Sequence, residues 1–267
     1  MAERRESFHP TPDEMRRLLA GSGPGWPANL LVASTLDSTS RMARRLVSRL
    51  LEDDESVPSF VVVGLHQSGG KGREGRTWWS PPGAGLYATW VATLPIADLS
   101  WLPLRVPLAL CEALDRFIPG RCRIKWPNDV LVEGRKIGGV LIEAVRRASP
   151  EAEVLIGFGV NRSHPTEEMP SLRATSLCGE MVNPPTLAEL IRVTLERVGA
   201  VLSAPSSPAD LLAAFRARLI HQVGETLQVR MGDERIEGRF LGVDDSGFLR
   251  LEVSGEEKRI AAGEVVQ

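Results

Sequence analysis

Two hydrophobic periods divide this chain. Up to about residue 221, helical and extended patterns alternate. Met42, Leu46, Val47, Leu50 and Leu51 recur at helical spacing behind Asp37-Ser38-Thr39-Ser40, a run of residues that cap helices. Further helices are predicted over 12–19, 102–117, 186–202 and 208–219, and strands over 30–33, 60–65, 86–91, 123–126, 130–132, 136–143 and 154–160. Residues 162–183 carry no clear period. From Gly224 the period becomes two, over 226–231, 235–243, 248–253 and 257–262, with turn residues at Gly232-Asp233, Asp245-Ser246-Gly247 and Ser254-Gly255. The pattern predicts an α+β protein: a mixed β-sheet covered by helices over 29–221, a small antiparallel β domain over 222–267 built as a short-stranded barrel, and an N-terminal extension over 1–28.

Composition narrows the function classes. The chain has 267 residues, enough for a sizeable core. Its 32 Lys and Arg stand against 34 Asp and Glu, so no global field favours nucleic acid. No apolar run reaches the roughly 18 residues of a spanning helix, and 1–17 lack the apolar centre of a signal peptide. The expectation is a cytoplasmic protein without a membrane partner. Cys111, Cys122 and Cys178 fit no metal or redox spacing and are expected to be reduced thiols.

Two segments carry candidate chemistry. Residues 68–76 read SGGKGREGR: four glycines with Lys71, Arg73 and Arg76 against Glu74. Glycines let backbone N–H groups approach an anion, and arginine adds planar, charge-assisted donors. A Walker A loop is excluded, because it would need glycine at Leu65 and Ser or Thr at Gly72. Residues 70–75 do match G-x-G-x-x-G, but the Arg76-Thr77-Trp78-Trp79-Ser80-Pro81-Pro82 that follows cannot open the helix a dinucleotide site requires. A basic flap that orders over a triphosphate or an acyl-adenylate fits better than a merely solvated loop. The second segment, 125–143, reads KWPNDVLVEGRKIGGVLIE. A strand ends at Pro127, which cannot donate to a ladder, and a turn at Glu133-Gly134 starts a return past Gly138-Gly139.

With its basic glycine loop followed by W-x-S-P-x-G (Trp78, Ser80-Pro81, Gly83), its D-S-T segment at 37–39, its KWPND string and its G-x-G-x-N at Gly157–Asn161, the chain resembles the biotin protein ligases over residues 36 to the C-terminus. Lys71 stands where arginine is common, which keeps charge but loses a bidentate fork. The resemblance implies a catalytic core like that of class II aminoacyl-tRNA synthetases with an SH3-like C-terminal barrel. The implied activity is ATP-dependent formation of biotinyl-5′-AMP and transfer of biotin to a lysine of a biotin carboxyl carrier protein. It implies biotin contacts from Ser38, Thr39, Ser40, Gln67, Lys71, Gly72, Arg73, Lys125, Gly138 and Gly139. Nucleotide contacts fall to Arg73, Arg76, Trp78, Asn128, Asn161 and Thr175. Lys125 and Arg73 are expected to stabilise the anions that meet when a carboxylate attacks the α-phosphate, and Asp129 to orient or deprotonate the acceptor amine. Mg²⁺ is expected to enter with ATP rather than through a carboxylate cage. Family strand edges can pair into a homodimer.

Three alternatives remain at this stage. About 28 residues precede the first predicted catalytic strand, too few for a winged helix, so a DNA-binding repressor is not expected. A lipoate or octanoate transferase shares the fold, but the KWPND segment speaks for biotin. A non-catalytic biotin-binding protein would not need Lys125 and Arg73.

Overall fold

The computed structural model describes residues 12–20, 26–148, 150–164, 173–204 and 207–266. The elements run α1 (Pro12–Leu19), β1 (Leu30–Ala33), α2 (Thr39–Glu52), β2 (Phe60–Gly64), β3 (Gly85–Pro95), α3 (Leu102–Leu114), β4 (Cys122–Lys125), β5 (Asp129–Val132), β6 (Arg135–Ala148) and β7 (Glu151–Asn161). They continue with α4 (Leu177–Glu180), α5 (Leu187–Ser203), α6 (Pro208–Arg218) and the strands β8 (Thr226–Met231), β9 (Glu234–Val243), β10 (Leu249–Val253), β11 (Glu256–Ile260) and β12 (Glu264–Val266).

The first seven strands form one mixed sheet in the order β1-β2-β3-β7-β6-β5-β4, in which β1 and β2 are parallel and the other neighbours antiparallel. Its central strands are covered on both faces, which is why β2 reads as an unbroken apolar run rather than an alternation. Phe60 and Val62 pack with Ala43 and Val47 of α2 on one face, while Val61 and Val63 join the larger core under α3 and α5 on the other. Thr186 caps α5 by accepting from Glu189 N at 3.2 Å, and Ser207 caps α6 from Asp210 N at 3.2 Å. Met15 and Leu19 of α1 are buried in the larger core, so the predicted helix of the N-terminal extension packs on the main domain.

The last five strands form a second antiparallel sheet, ordered β11-β10-β9-β8-β12. This is the expected small antiparallel β domain, SH3-like in kind; among the described residues no ladder joins β11 to β12, so its sheet does not close on itself. The edge strand β12 is absent from the pattern reading, whose last strand ran over 257–262. Trp126 ties the two domains together: its indole donates to Gly247 O at 3.2 Å, while within the first domain its backbone N–H donates to His221 Nε2 at 3.3 Å.

Candidate active site

A cavity opens on the α2 face of the sheet, walled by the start of α2, the glycine loop and strands β3, β5, β6 and β7. Its two ends differ in chemistry.

One end is neutral and hydrogen-bonded. The chain leaves β1 beside the chain leaving β2, joined by Ser68 N→Leu36 O at 3.0 Å and Gly69 N→Asp37 O at 2.8 Å. Asp37 accepts from Ser38 N at 2.8 Å and takes both Arg45 Nη atoms at 2.9 Å. The Arg45 guanidinium holds the Asp37 carboxyl down at about 2. This clamp sets the D-S-T turn. Ser38 sits at the N-cap of α2, 1% exposed, yet makes no capping bond. The residue lines the cavity instead of capping the helix. Gln67 accepts from Thr39 N at 2.8 Å and from Thr39 Oγ1 at 3.2 Å, and donates through Nε2 to Ser80 Oγ at 2.8 Å. Behind them Thr89 of β3, which sequence reasoning missed, lies 2.9 Å from Thr39 Oγ1 and 3.1 Å from Ser40 Oγ. Tyr87, the chain's one tyrosine, also lines this end; burial pushes its phenol well above the ordinary value.

The other end is cationic. The glycine loop folds back on itself through Gly72 N→Arg76 O at 2.7 Å and Trp78 N→Gly70 O at 2.9 Å. A Cβ at Gly70 would stand 2.4 Å from Trp78 O, so only glycine fits. Lys71, Gly72, Arg73 and Arg76 all line the cavity. Arg73 donates to Asn128 Oδ1 at 3.2 Å, and Asn128 in turn donates to Val140 O at 2.5 Å. Burial lowers the Arg73 pKa, with Glu74 and Asp129 opposing the shift. The Trp78 indole lies against β7 at Gly159, where a Cβ would come within 2.7 Å of the ring. Its Nε1 is buried and has no protein partner.

Lys136 is the cation that sequence reasoning missed. Its Nζ lies 2.7 Å from Asp129 Oδ1 and 5.2 Å from the centre of the Trp78 ring. The cause is a β-bulge. Asp129 pairs with Gly139 and Val130 with Gly138, but Leu131 pairs with Lys136, leaving Ile137 as the extra residue. Strict alternation would place Lys136 on the Gly138 face; the bulge moves it to the face of Asp129 and Gly139. Its backbone is held on the open side by Lys136 N→Arg173 O at 2.7 Å and Thr175 N→Lys136 O at 2.9 Å.

Four predicted site residues fall outside this cavity. Lys125, half-buried, lines an adjoining groove with Arg76, Asp129, Lys136, Arg230 and Glu264; burial lowers its ammonium pKa against the pull of Asp129 and Glu264. Gly138 faces Gly159 O, which a Cβ would meet at 2.9 Å, and does not line the cavity. Asn161 donates to Thr175 O at 2.9 Å and to Lys136 O at 3.5 Å, and the Thr175 hydroxyl donates to Glu180 Oε1 at 2.5 Å. The last two therefore brace Lys136 from behind. Ser38, Thr39, Ser40, Gln67, Lys71, Gly72, Arg73, Arg76, Trp78, Asn128, Asp129 and Gly139 do converge on the cavity.

Known proteins resemble this chain along both of its domains. Residues 32–161 match the biotin/lipoate A/B protein ligase family, and 223–266 match the biotin protein ligase C-terminal domain. The biotin–[acetyl-CoA-carboxylase] ligase of Mycobacterium tuberculosis is 29% identical over 98% of this chain and 98% of its own. The enzyme of that name from Paracoccus denitrificans is 32% identical over 86% of this chain and 96% of its own. Among solved structures, the Aquifex aeolicus biotin protein ligase in complex with biotin and ATP superposes with a TM-score of 0.70 at 25% identity, covering 90% of this chain and 98% of that one. With both domains matched in order, and a relative above 30% identity aligned along nearly its whole length, the chain belongs to the biotin protein ligase family.

Proposed function

We propose that the protein condenses biotin with ATP to biotinyl-5′-AMP and passes the biotinyl group to a lysine of the biotin carboxyl carrier protein of acetyl-CoA carboxylase or a related carboxylase. The observation that carries this reading is the two-ended cavity. Hydroxyls and an amide suit a ureido ring, which offers one carbonyl and two N–H groups. The cations stand where two anions must meet, the biotin carboxylate and the ATP α-phosphate. Fixed positive charge at that point stabilises the developing pentavalent centre and is worth several kcal/mol in such sites.

In this reading Ser38, Thr39, Ser40 and Gln67 hold the ureido ring. Lys71, Gly72, Arg73 and Lys136 gather the carboxylate and the α-phosphate. Trp78 covers the nucleotide, with Asn128 and Arg76 beside it. Lys125, in the groove that continues from Lys136, receives the outgoing pyrophosphate. Mg²⁺ accompanies ATP through phosphate oxygens and water. The acceptor lysine must attack as a free amine, about one molecule in a thousand at neutral pH for an ordinary lysine. Asp129, already beside Lys136, orients that amine or takes its proton. The catalytic domain spans 29–221 and the C-terminal domain 222–267. A cytoplasmic location goes with this activity. No described helix is long and apolar enough to cross a membrane.

The test is to incubate the protein with biotin, Mg-ATP and a purified carrier domain, and to read the carrier's mass. One added biotinyl group, absent when the acceptor lysine is replaced by arginine, is the expected result. An unmodified carrier with biotin, or lipoyl transfer to a lipoyl domain instead, contradicts the reading.

A further inference from the structure

Hydrogen bookkeeping in the neutral end of the cavity leads to a residue behind the binding surface. The backbone N–H of Thr39 can only donate, and it lies 2.8 Å from Gln67 Oε1. That bond fixes the amide with its oxygen toward Thr39. The Thr39 hydroxyl, 3.2 Å from the same oxygen, must then donate its single hydrogen to Gln67. With that hydrogen spent, the bond between Thr89 and Thr39, 2.9 Å long, has Thr89 as donor. The Thr89 hydrogen is then spent too, so Ser40, 3.1 Å away, must donate to Thr89. One backbone N–H thus sets the direction of the whole chain: Ser40 to Thr89 to Thr39 to Gln67. At its far end Gln67 Nε2 donates to Ser80 Oγ, whose own hydrogen goes to Trp78 O at 3.0 Å.

This order decides what the cavity presents. Ser40 and Thr39 have their hydrogens turned inward and keep lone pairs for a ligand, while Gln67 keeps one N–H donor. That set complements a planar group carrying donors and an acceptor together. Thr89 is 0% exposed and does not line the cavity, so it acts only through the two hydroxyls it joins. It is the sole link between them in the relay.

We propose that Thr89 is a positioning residue that sets the hydrogen-bond polarity of the ureido-binding hydroxyls, and hence the affinity for biotin. The proposal rests on biotin being the substrate. Thr89→Val keeps the side-chain shape but leaves the Ser40 hydrogen and a Thr39 lone pair without their partner, so Ser40 is free to turn its hydrogen toward a ligand that also donates. Loss of one such hydrogen bond corresponds to about tenfold in affinity.

The experiment is steady-state ATP–pyrophosphate exchange with wild type, Thr89→Val and Thr89→Ser. The expected result is a KM for biotin raised about tenfold in Thr89→Val, with kcat and the KM for ATP within about twofold, and recovery in Thr89→Ser, which keeps the hydroxyl. A purely structural role would move both substrates together. An active wild type with an unchanged biotin KM in Thr89→Val, or with Thr89→Ser as impaired as Thr89→Val, overturns the proposal and leaves the ligase reading standing. Wild type without biotin-dependent exchange sinks both. If Thr89→Val does not fold, Thr89→Ala removes the same hydroxyl in a smaller side chain: the same biotin-only rise in KM supports the proposal, and an unchanged KM overturns it.

Discussion

His164 shows most directly what burial does to a single group in this protein. Its Nε2 lies 3.1 Å from the Tyr87 hydroxyl and 3.3 Å from Trp79 O, and its ring is buried. Burial brings its pKa down from 6.5 to about 4. The folded state therefore refuses a proton that the unfolded chain accepts between those values. Stability from this group is complete above pH 6.5 and is lost as pH falls toward 4. Urea unfolding at pH 7.5 and pH 5 should show about 2 kcal/mol less stability at the lower pH from this residue, and His164→Gln should flatten that part of the slope. Equal pH slopes in the two proteins would show that His164 is not held neutral by the fold. At this scale the sequence made most of the pocket legible. Ser38, Thr39, Gln67, Arg73 and Trp78 stand in strings whose residue types match the chemistry directly. Lys136 was hidden because no local signal marks a bulge, and Thr89 because a threonine inside an apolar strand reads as packing. Asn161 and Thr175 were read as nucleotide contacts, but their side chains turn to backbone and to Glu180.

Periodicity located the elements well wherever both faces of a strand or one face of a helix were buried. The extension of β6 to Ala148 and of β7 back to Glu151 escaped it, because charged residues on the open rim break the apolar run. The three residues of β12 are too few to show a period, yet they carry a contact to the glycine loop. Glu264 on β12 pairs with Arg76 at 2.5 Å and with Arg230 at 2.6 Å, and Arg230 reaches Glu74 at 3.2 Å. These are partly exposed pairs, individually worth little to stability, but together they tether the tip of the loop to the second sheet. Two consequences are testable by limited trypsin digestion at Lys71, Arg73 and Arg76. Biotin with Mg-ATP should slow cleavage severalfold, because a glycine-rich segment gains order from its ligand. Glu264→Gln should speed cleavage of the unliganded protein. Cleavage rates indifferent to both would show that neither ligand nor tether restrains the loop.

On the scale of the whole molecule, the large sheet supplies a rigid floor and the second sheet closes one side of the cationic groove. The two are joined where the Trp126 indole, at the end of β4, bonds Gly247 O. This arrangement keeps the ureido end deep and the phosphate end open toward the groove, as a two-step reaction requires: the first step assembles a mixed anhydride among fixed cations, and the second admits a protein lysine from outside. On the proposed function this site activates biotin, with Lys136 at the reacting phosphate. The most direct test is isotope exchange between pyrophosphate and ATP in the presence of Mg²⁺, with biotin, lipoate or no acid, comparing wild type with Lys136→Ala and Lys125→Ala. Exchange is expected with biotin and not with lipoate or no acid, with a fall of at least 100-fold, about 2.7 kcal/mol, in Lys136→Ala, and a smaller fall in Lys125→Ala. Exchange supported by lipoate and not biotin, or full exchange in Lys136→Ala, would contradict it.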